Sequence, residues 1–163
     1  MIQKSKVTVI GLGNIGTAVA TNLVKGNHSV IVADKTFEKA TELANKLGIL
    51  AQPATVADAI KKADIVVLAI YFDPIKALFK TYATELQGKI IVDPSNPIAP
   101  DENGGFKKII SADESAGEIL SSLLPDGAKL VKALGTLGAA SLASTAFQTP
   151  EKAVQFYATD GNP

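Results

Sequence analysis

Val7-Thr8-Val9-Ile10-Gly11-Leu12-Gly13-Asn14-Ile15-Gly16 is the stretch on which the fold turns. Val7 to Ile10 is apolar apart from Thr8 and stops at a glycine cluster, as a buried parallel strand does. Ile15 to Val24 then reads as a helix, with Ile15, Val19 and Leu23 on one face, and Gly26-Asn27 ends it. Gly-x-Gly-x-x-Gly alone is a weak signal. Between a strand and a helix, in a unit of about thirty residues, it is the context in which a dinucleotide is held. Gly11 permits the tight turn, Gly13 lets backbone approach a pyrophosphate, and Gly16 lets helix and strand pack closely. The helix start at Asn14 and Ile15 offers free N–H groups and a partial positive charge to the phosphates.

Outward from this turn, strands and helices alternate. Ser29 to Ala33 is a second strand, and Phe37 to Leu47 is a helix whose stripe is Phe37, Ala40, Leu43, Ala44 and Leu47. Ile49 to Gln52 reads as a third strand, Thr55 to Lys62 as a small helix, and Ile65 to Ile70 as the most apolar strand. A helix over Pro74 to Leu86 follows, then a strand over Lys89 to Val92, then a loop over Ile98 to Gly105 with a flexible Gly104-Gly105. Ser115 and Glu118 make a capping box for a helix to Leu124. Lys129 to Lys132 is a sixth strand, Gly138 to Ala146 a short helix, and Ala153 to Tyr157 a seventh strand. The pattern predicts an α/β fold: a doubly wound, mainly parallel sheet of the Rossmann dinucleotide-binding kind, in a single domain over residues 1–163. Ligands of such sheets bind at the carboxyl ends of the strands.

Asp34 stands at the end of the second strand, where the adenine ribose would lie. A carboxylate there accepts bonds from both ribose hydroxyls and repels a 2′-phosphate, so the expectation for the cofactor, NAD or NADP, tips toward NAD. Lys35 and Thr36 follow and are the residues that could contact a 2′-phosphate instead. The nicotinamide end is expected at the later strand ends: Ala69, Ile70 and Tyr71, then Ser95 and Asn96, then Leu134, Gly135 and Thr136. Tyr71 can stack on a ring or simply start a helix at the surface. Asp93-Pro94-Ser95-Asn96-Pro97 is either a nicotinamide contact through Asn96 or a rigid turn. Lys132, among apolar neighbours, reads as a side chain that snorkels to solvent rather than a ligand contact.

Composition narrows the classes. The 163 residues are 47% hydrophobic and 20% charged, with 16 basic and 16 acidic side chains. A net charge of zero argues against nucleic-acid or anionic-membrane partners. There are no cysteines and one histidine, His28. Thiolate chemistry, disulfides and a His- or Cys-ligated metal site are therefore excluded, and no catalytic side chain stands out. No apolar run reaches the roughly 18 residues of a membrane span, and Met1 to Lys6 lacks the apolar core of a signal peptide. A cytoplasmic protein acting on a small-molecule substrate is expected.

The opening stretch resembles the NADP oxidoreductases that act on a deazaflavin coenzyme. Asp93-Pro94-Ser95-Asn96-Pro97, Ser115-Ala116-Gly117-Glu118 and Val131-Lys132-Ala133-Leu134-Gly135-Thr136-Leu137-Gly138 are similar to that family's later motifs, in the same order. The resemblance runs from residue 7 to about 157. Membrane ferric reductases carry a similar cytoplasmic domain, and pyrroline-carboxylate reductases share the opening motif alone. The resemblance implies hydride transfer between a nicotinamide and a flavin-like ring, the protein supplying alignment. It also implies a homodimer, completed by a helix-rich segment beyond the point where this chain ends at Asp160-Gly161-Asn162-Pro163, so the chain reads as shortened. Ala33-Asp34-Lys35 departs from the small polar and basic residues usual there, and Gly135 replaces a usual Asn. The alternative to an enzyme is a non-catalytic module that senses dinucleotides.

Overall fold

A computed structural model describes residues 5–146 and 153–159. The expectations that fall on Met1 to Lys4 and on Asp160 to Pro163 lie outside the described residues. The structure contains β1 (Val7–Ile10), α1 (Asn14–Lys25), β2 (Val30–Ala33), α2 (Phe37–Leu47), β3 (Ala51–Pro53), α3 (Val56–Lys62), β4 (Ile65–Leu68) and α4 (Phe72–Thr81). It continues with β5 (Ile90–Asp93), β6 (Ile98–Pro100), β7 (Phe106–Lys108), α5 (Ala116–Ser121), β8 (Lys129–Ala133), α6 (Ala139–Ser144) and β9 (Tyr157–Thr159). Seven strands form one sheet in the order β3-β2-β1-β4-β5-β8-β9. The first six run parallel, and β9 pairs antiparallel to β8. The chain reverses its direction of winding between β1 and β4, which makes their carboxyl ends the switch point where such sheets bind ligands.

Alternation along the strands divides the core between the two faces. Ile10, Val66 and Leu68 pack with Ile60 of α3, Phe72, Ile75 and Phe79 of α4, and Leu120 of α5. Val9, Val32 and Val67 pack with Ala18, Val19 and Ala20 of α1, Leu43 and Ala44 of α2, and Leu142 of α6. Thr8 is the polar residue buried within β1, and its hydroxyl donates to the Ile31 carbonyl at 3.0 Å. Pro53 has no N–H to give a ladder and lies in β3, the edge strand, where none is required.

Helix ends follow their expected chemistry. Thr55 caps α3 by accepting the Asp58 N–H at 3.2 Å. Ser115 accepts the Glu118 N–H at 3.1 Å and donates its hydroxyl to Glu118 Oε2 at 2.8 Å. Asn27, at φ 58°, takes the left-handed conformation just past α1.

Several boundaries differ from the sequence reading. The third strand starts at Ala51, because Gly48 (φ 84°) opens a turn closed by the Ala51 N–H on the Gly48 carbonyl, leaving Ile49 exposed. Phe37 starts α2 but stays 46% exposed, so the buried stripe begins at Ala40. The Ile98–Gly105 loop is instead the first half of an antiparallel β6–β7 hairpin. Asp101 Oδ1 closes its turn by accepting the N–H groups of Asn103 and Gly105, both at 2.8 Å. The last strand is shifted to Tyr157–Thr159, and Val154 and Phe156 ahead of it are exposed.

The joint between β1 and α1 positions everything else. Gly11 has φ 90° and donates its N–H to the Ala33 carbonyl. A Cβ on Gly11 would meet the Ala69 carbonyl and the Ile70 side chain at 2.5 Å. A Cβ on Gly16 would collide with the Gly11 carbonyl and press on the Ala69 methyl at 3.2 Å. Ile60→Ala removes a fully buried side chain and should cost about 2–5 kcal/mol in urea denaturation; a cost near zero would contradict this core. Gly→Ala inside an exposed helix stabilises by roughly 0.5–1 kcal/mol. Gly16→Ala should reverse that sign and destabilise by about 1–3 kcal/mol through overpacking.

Candidate functional site

Five parallel strands end along one edge of the sheet, and each is followed by residues singled out in the sequence. Gly11 to Gly16 follow β1, Asp34 and Lys35 follow β2, and Ala69 to Tyr71 follow β4. Ser95 and Asn96 follow β5, and Leu134 to Thr136 follow β8. Backbone bonds fasten the first three groups together. The Gly11 N–H reaches the Ala33 carbonyl at 2.9 Å, and the Ala69 N–H reaches the Ile10 carbonyl at 2.8 Å. Asn96 Nδ2 donates to the Gly135 carbonyl at 3.2 Å and joins the last two. Lys35, Tyr71 and Thr136 are exposed at their strand ends.

The glycine turn has the features of an anion cradle. Gly13 is the N-cap of α1, so no side chain caps the helix. A Cβ built on Gly13 meets nothing within 4 Å, in contrast with the crowding at Gly11 and Gly16. The Asn14, Ile15 and Gly16 amides occupy the first turn, where N–H groups lack intrahelical acceptors. Asn14 is exposed, while the Ile15 side chain packs into the core. This open, uncapped turn, with its positive dipole end, fits a pyrophosphate.

Asp34 is half-buried and turned inward. Its Oδ2 accepts the Leu12 N–H at 2.8 Å, and its Oδ1 accepts the Thr36 N–H at 3.1 Å. The carboxylate therefore fixes the glycine turn from the end of β2, a role the sequence reading did not assign to it. Further lone pairs on both oxygens remain for a ligand.

At the other end of the edge, Asp93 is fully buried. Its Oδ1 accepts the Ser95 N–H at 2.7 Å. Its Oδ2 makes no hydrogen bond but lies 3.2 Å from Lys132 Nζ, and the ion pair satisfies it. Lys132 Nζ also donates to the Asp93 carbonyl at 3.2 Å and to the Ser95 carbonyl. Lys132 is thus not a snorkelling side chain. A buried carboxylate beside it outcompetes solvent for the ammonium, because an unpaired buried charge costs several kcal/mol. The sequence carried a signal for this pair, since Asp93 and Lys132 each follow an apolar stretch, Ile90 to Val92 and Leu130-Val131, near the carboxyl end of a strand. Leu134, expected at the nicotinamide end, has a backbone conformation the sequence did not announce. It has φ 66°, a conformation that costs a non-glycine residue about 1–3 kcal/mol, and its side chain packs with the α1-side core. Gly135 beside it is close-packed; a Cβ there would lie 2.9 Å from the Pro94 carbonyl.

A separate cavity of about 330 Å³ lies between α5, β8 and β9, lined by Ser115, Glu118, Leu130, Lys132 and Thr159 among others. No residue of the glycine turn lines it, and Lys132 is the residue it shares with the strand-end cleft. The candidate ligand site is the cleft, where the uncapped helix and the strand ends converge.

Comparison with known proteins identifies the family. The family model described as "NADP oxidoreductase coenzyme F420-dependent" matches residues 6–97, from the start of β1 through the Asp93–Pro97 turn. The F420-dependent NADP reductase of Methanothermobacter thermautotrophicus is 29% identical over 154 residues, which are 86% of this chain and 65% of that protein. The Metalloreductase STEAP3 of Rattus norvegicus is 29% identical over 140 residues, 86% of this chain and 26% of the relative. A solved structure from Arthrobacter sp. FB24 superposes with a TM-score of 0.82 at 24% identity, covering 97% of this chain and 74% of its own, and supports the fold. The chain thus spans about a quarter of the metalloreductase and just under two thirds of the archaeal reductase. Among the described residues no helix is long and apolar enough to cross a membrane. With the family model covering more than half of its length, the chain belongs to the coenzyme F420-dependent NADP oxidoreductase family, as an NAD(P)-binding oxidoreductase domain.

Proposed function

We propose that this domain holds a nicotinamide dinucleotide across the strand ends and aligns its ring for hydride transfer to or from a flavin-like or other small acceptor. The observation that carries this reading is the uncapped, open first turn of α1 at Gly13, facing the switch point between β1 and β4. When bound, the cofactor supplies the hydride. The protein's part is binding and orientation. The first-turn amides of α1 hold the pyrophosphate, and Asp34 keeps their loop in place through the Leu12 N–H. Ala69, Ile70, Asn96 and Thr136 border the nicotinamide, and Tyr71, 81% exposed, offers a ring face to the acceptor. Direct hydride transfer between two aligned rings requires no strong acid or base, so proximity and orientation carry the rate.

For the cofactor we favour NADP. The sequence expectation of NAD rested on Asp34 reading the ribose, a role its remaining lone pairs allow beside the two backbone N–H groups it accepts. Lys35 and Thr36 are exposed beside it and suit a 2′-phosphate. The family's description also names NADP. The relatives compared above bear reductase names, which supports an enzyme over a sensing module. A second copy of the chain as a homodimer partner remains the expectation from resemblance, testable by sedimentation.

Calorimetric titration of NADPH and NADH is the direct test, with NADPH expected to bind more tightly. Gly13→Ala should keep its melting temperature, since there is room for the methyl group, yet lose NADPH affinity by about ten-fold or more, or 1.4 kcal/mol. Asp34→Ala should weaken both cofactors together, by loosening the turn. A selective loss of NADH would instead return Asp34 to the ribose. Stopped-flow absorbance in the reduced-nicotinamide band, with deazaflavin, flavin and quinone acceptors, tests turnover; no oxidation with any acceptor contradicts the enzyme.

A further inference from the structure

We infer that Lys132 is a positioning residue for the nicotinamide half of the cleft, acting through the Asp93–Asn96 turn rather than by touching a ligand. The inference rests on the dinucleotide reading above and adds a residue to it. β5 and β8 are parallel neighbours, and Asp93 lies opposite Lys132 in their register. The strand ends therefore present an acid and a base side by side at the point where β5 gives way to the turn.

Three acceptors converge on one ammonium: the Asp93 carboxylate, the Asp93 carbonyl and the Ser95 carbonyl. The Asp93 carboxylate in turn takes the Ser95 N–H. Both backbone polar groups of Ser95 are thus spoken for by the pair: the ammonium donates to its carbonyl, and the carboxylate accepts its N–H. The next residue, Asn96, donates to the Gly135 carbonyl, which ties the turn to the segment after β8. That segment is itself held in a sparsely populated conformation at Leu134. Lys132 makes the tether to the turn, and the Asn96–Gly135 bond extends it to the segment after β8. Lys132 stands on β8, two residues before Leu134, and its head group fixes the turn that carries Asn96. Without it, the Asp93–Asn96 turn loses its anchor, and the Asn96–Gly135 bond loses one fixed end.

This arrangement lies at one end of the cleft. The glycine turn and Asp34 lie at the other, on β1 and β2, with β4 between. Loss of Lys132 should accordingly weaken recognition of the nicotinamide end and spare the pyrophosphate and adenosine end. A purely structural role would not divide the ligand in this way.

The test is calorimetric titration of two probes: NADPH, and 2′-phospho-ADP-ribose, which has the same pyrophosphate and adenosine half but no nicotinamide. They are titrated into the wild-type chain, Lys132→Met, and the double variant Asp93→Asn with Lys132→Met. The double variant removes the buried carboxylate's charge along with its partner, so it folds even if the single variant does not. The expected result is a loss of NADPH affinity of about ten-fold, the scale of one lost hydrogen bond, with the fragment's affinity changed less than about two-fold. Equal losses for both probes, or an unchanged NADPH affinity in a folded variant, overturn the inference while leaving the dinucleotide reading intact. A wild-type chain that binds neither probe overturns both.

Discussion

The first turn of α1 lies so close to the end of β1 that no side chain fits between them. Gly16 faces the Gly11 carbonyl and the Ala69 methyl, and Gly11 itself is confined by Ala69 and Ile70. This close approach brings the helix start over the carboxyl ends of β1 and β4, where the sheet's winding reverses. Were α1 held farther off, its unpaired amides would face open solvent rather than the cleft. The core on that face is shaped to match: Ala18 and Ala20 are small, and Val19 fills the space between α1 and the strands. Gly13 then completes the arrangement by leaving room where the other two glycines leave none.

Both ends of the cleft use the same device, in which a buried or half-buried charge organises backbone. Asp34 gathers two N–H groups and holds the glycine turn. Lys132 gathers two carbonyls and a carboxylate and holds the turn after β5. Charges committed to backbone geometry cannot also do much proton transfer. That suits a site whose chemistry belongs to its cofactor, since alignment is what such a site must supply. Leu134, held at positive φ, follows the same logic, since strain of that kind persists only where the surroundings impose it.

The sheet was legible in the sequence because its strands are short β-branched runs and its helices carry regular apolar stripes. The glycine turn was legible because each glycine answers to a separate steric demand. Asp34 was found but half understood: its position announces a site near the ribose, whereas its bond to Leu12 depends on how far the glycine turn folds back toward β2. Lys132 was misread for a related reason. A lysine in an apolar strand looks like a side chain seeking water until β5 and β8 are known to be neighbours in register. The β6–β7 hairpin was hidden because Ile98, Ala99 and Pro100 give no alternation, and its pairing depends on Asp101 closing a turn. Phe37 fits the helical stripe by spacing, yet it stands at the first position of α2, above the packed layer.

The central claim is that one dinucleotide spans the edge from the glycine turn to the end of β8. Backbone amide chemical-shift mapping during titration with NADPH tests it most directly. The account predicts that two sets of amides shift together along one binding curve: Leu12 to Gly16 at one end, and Ala69 to Tyr71, Asn96 and Leu134 to Thr136 at the other. Shifts confined to the cavity around Ser115, Glu118 and Thr159, or to only one of the two sets, would contradict it.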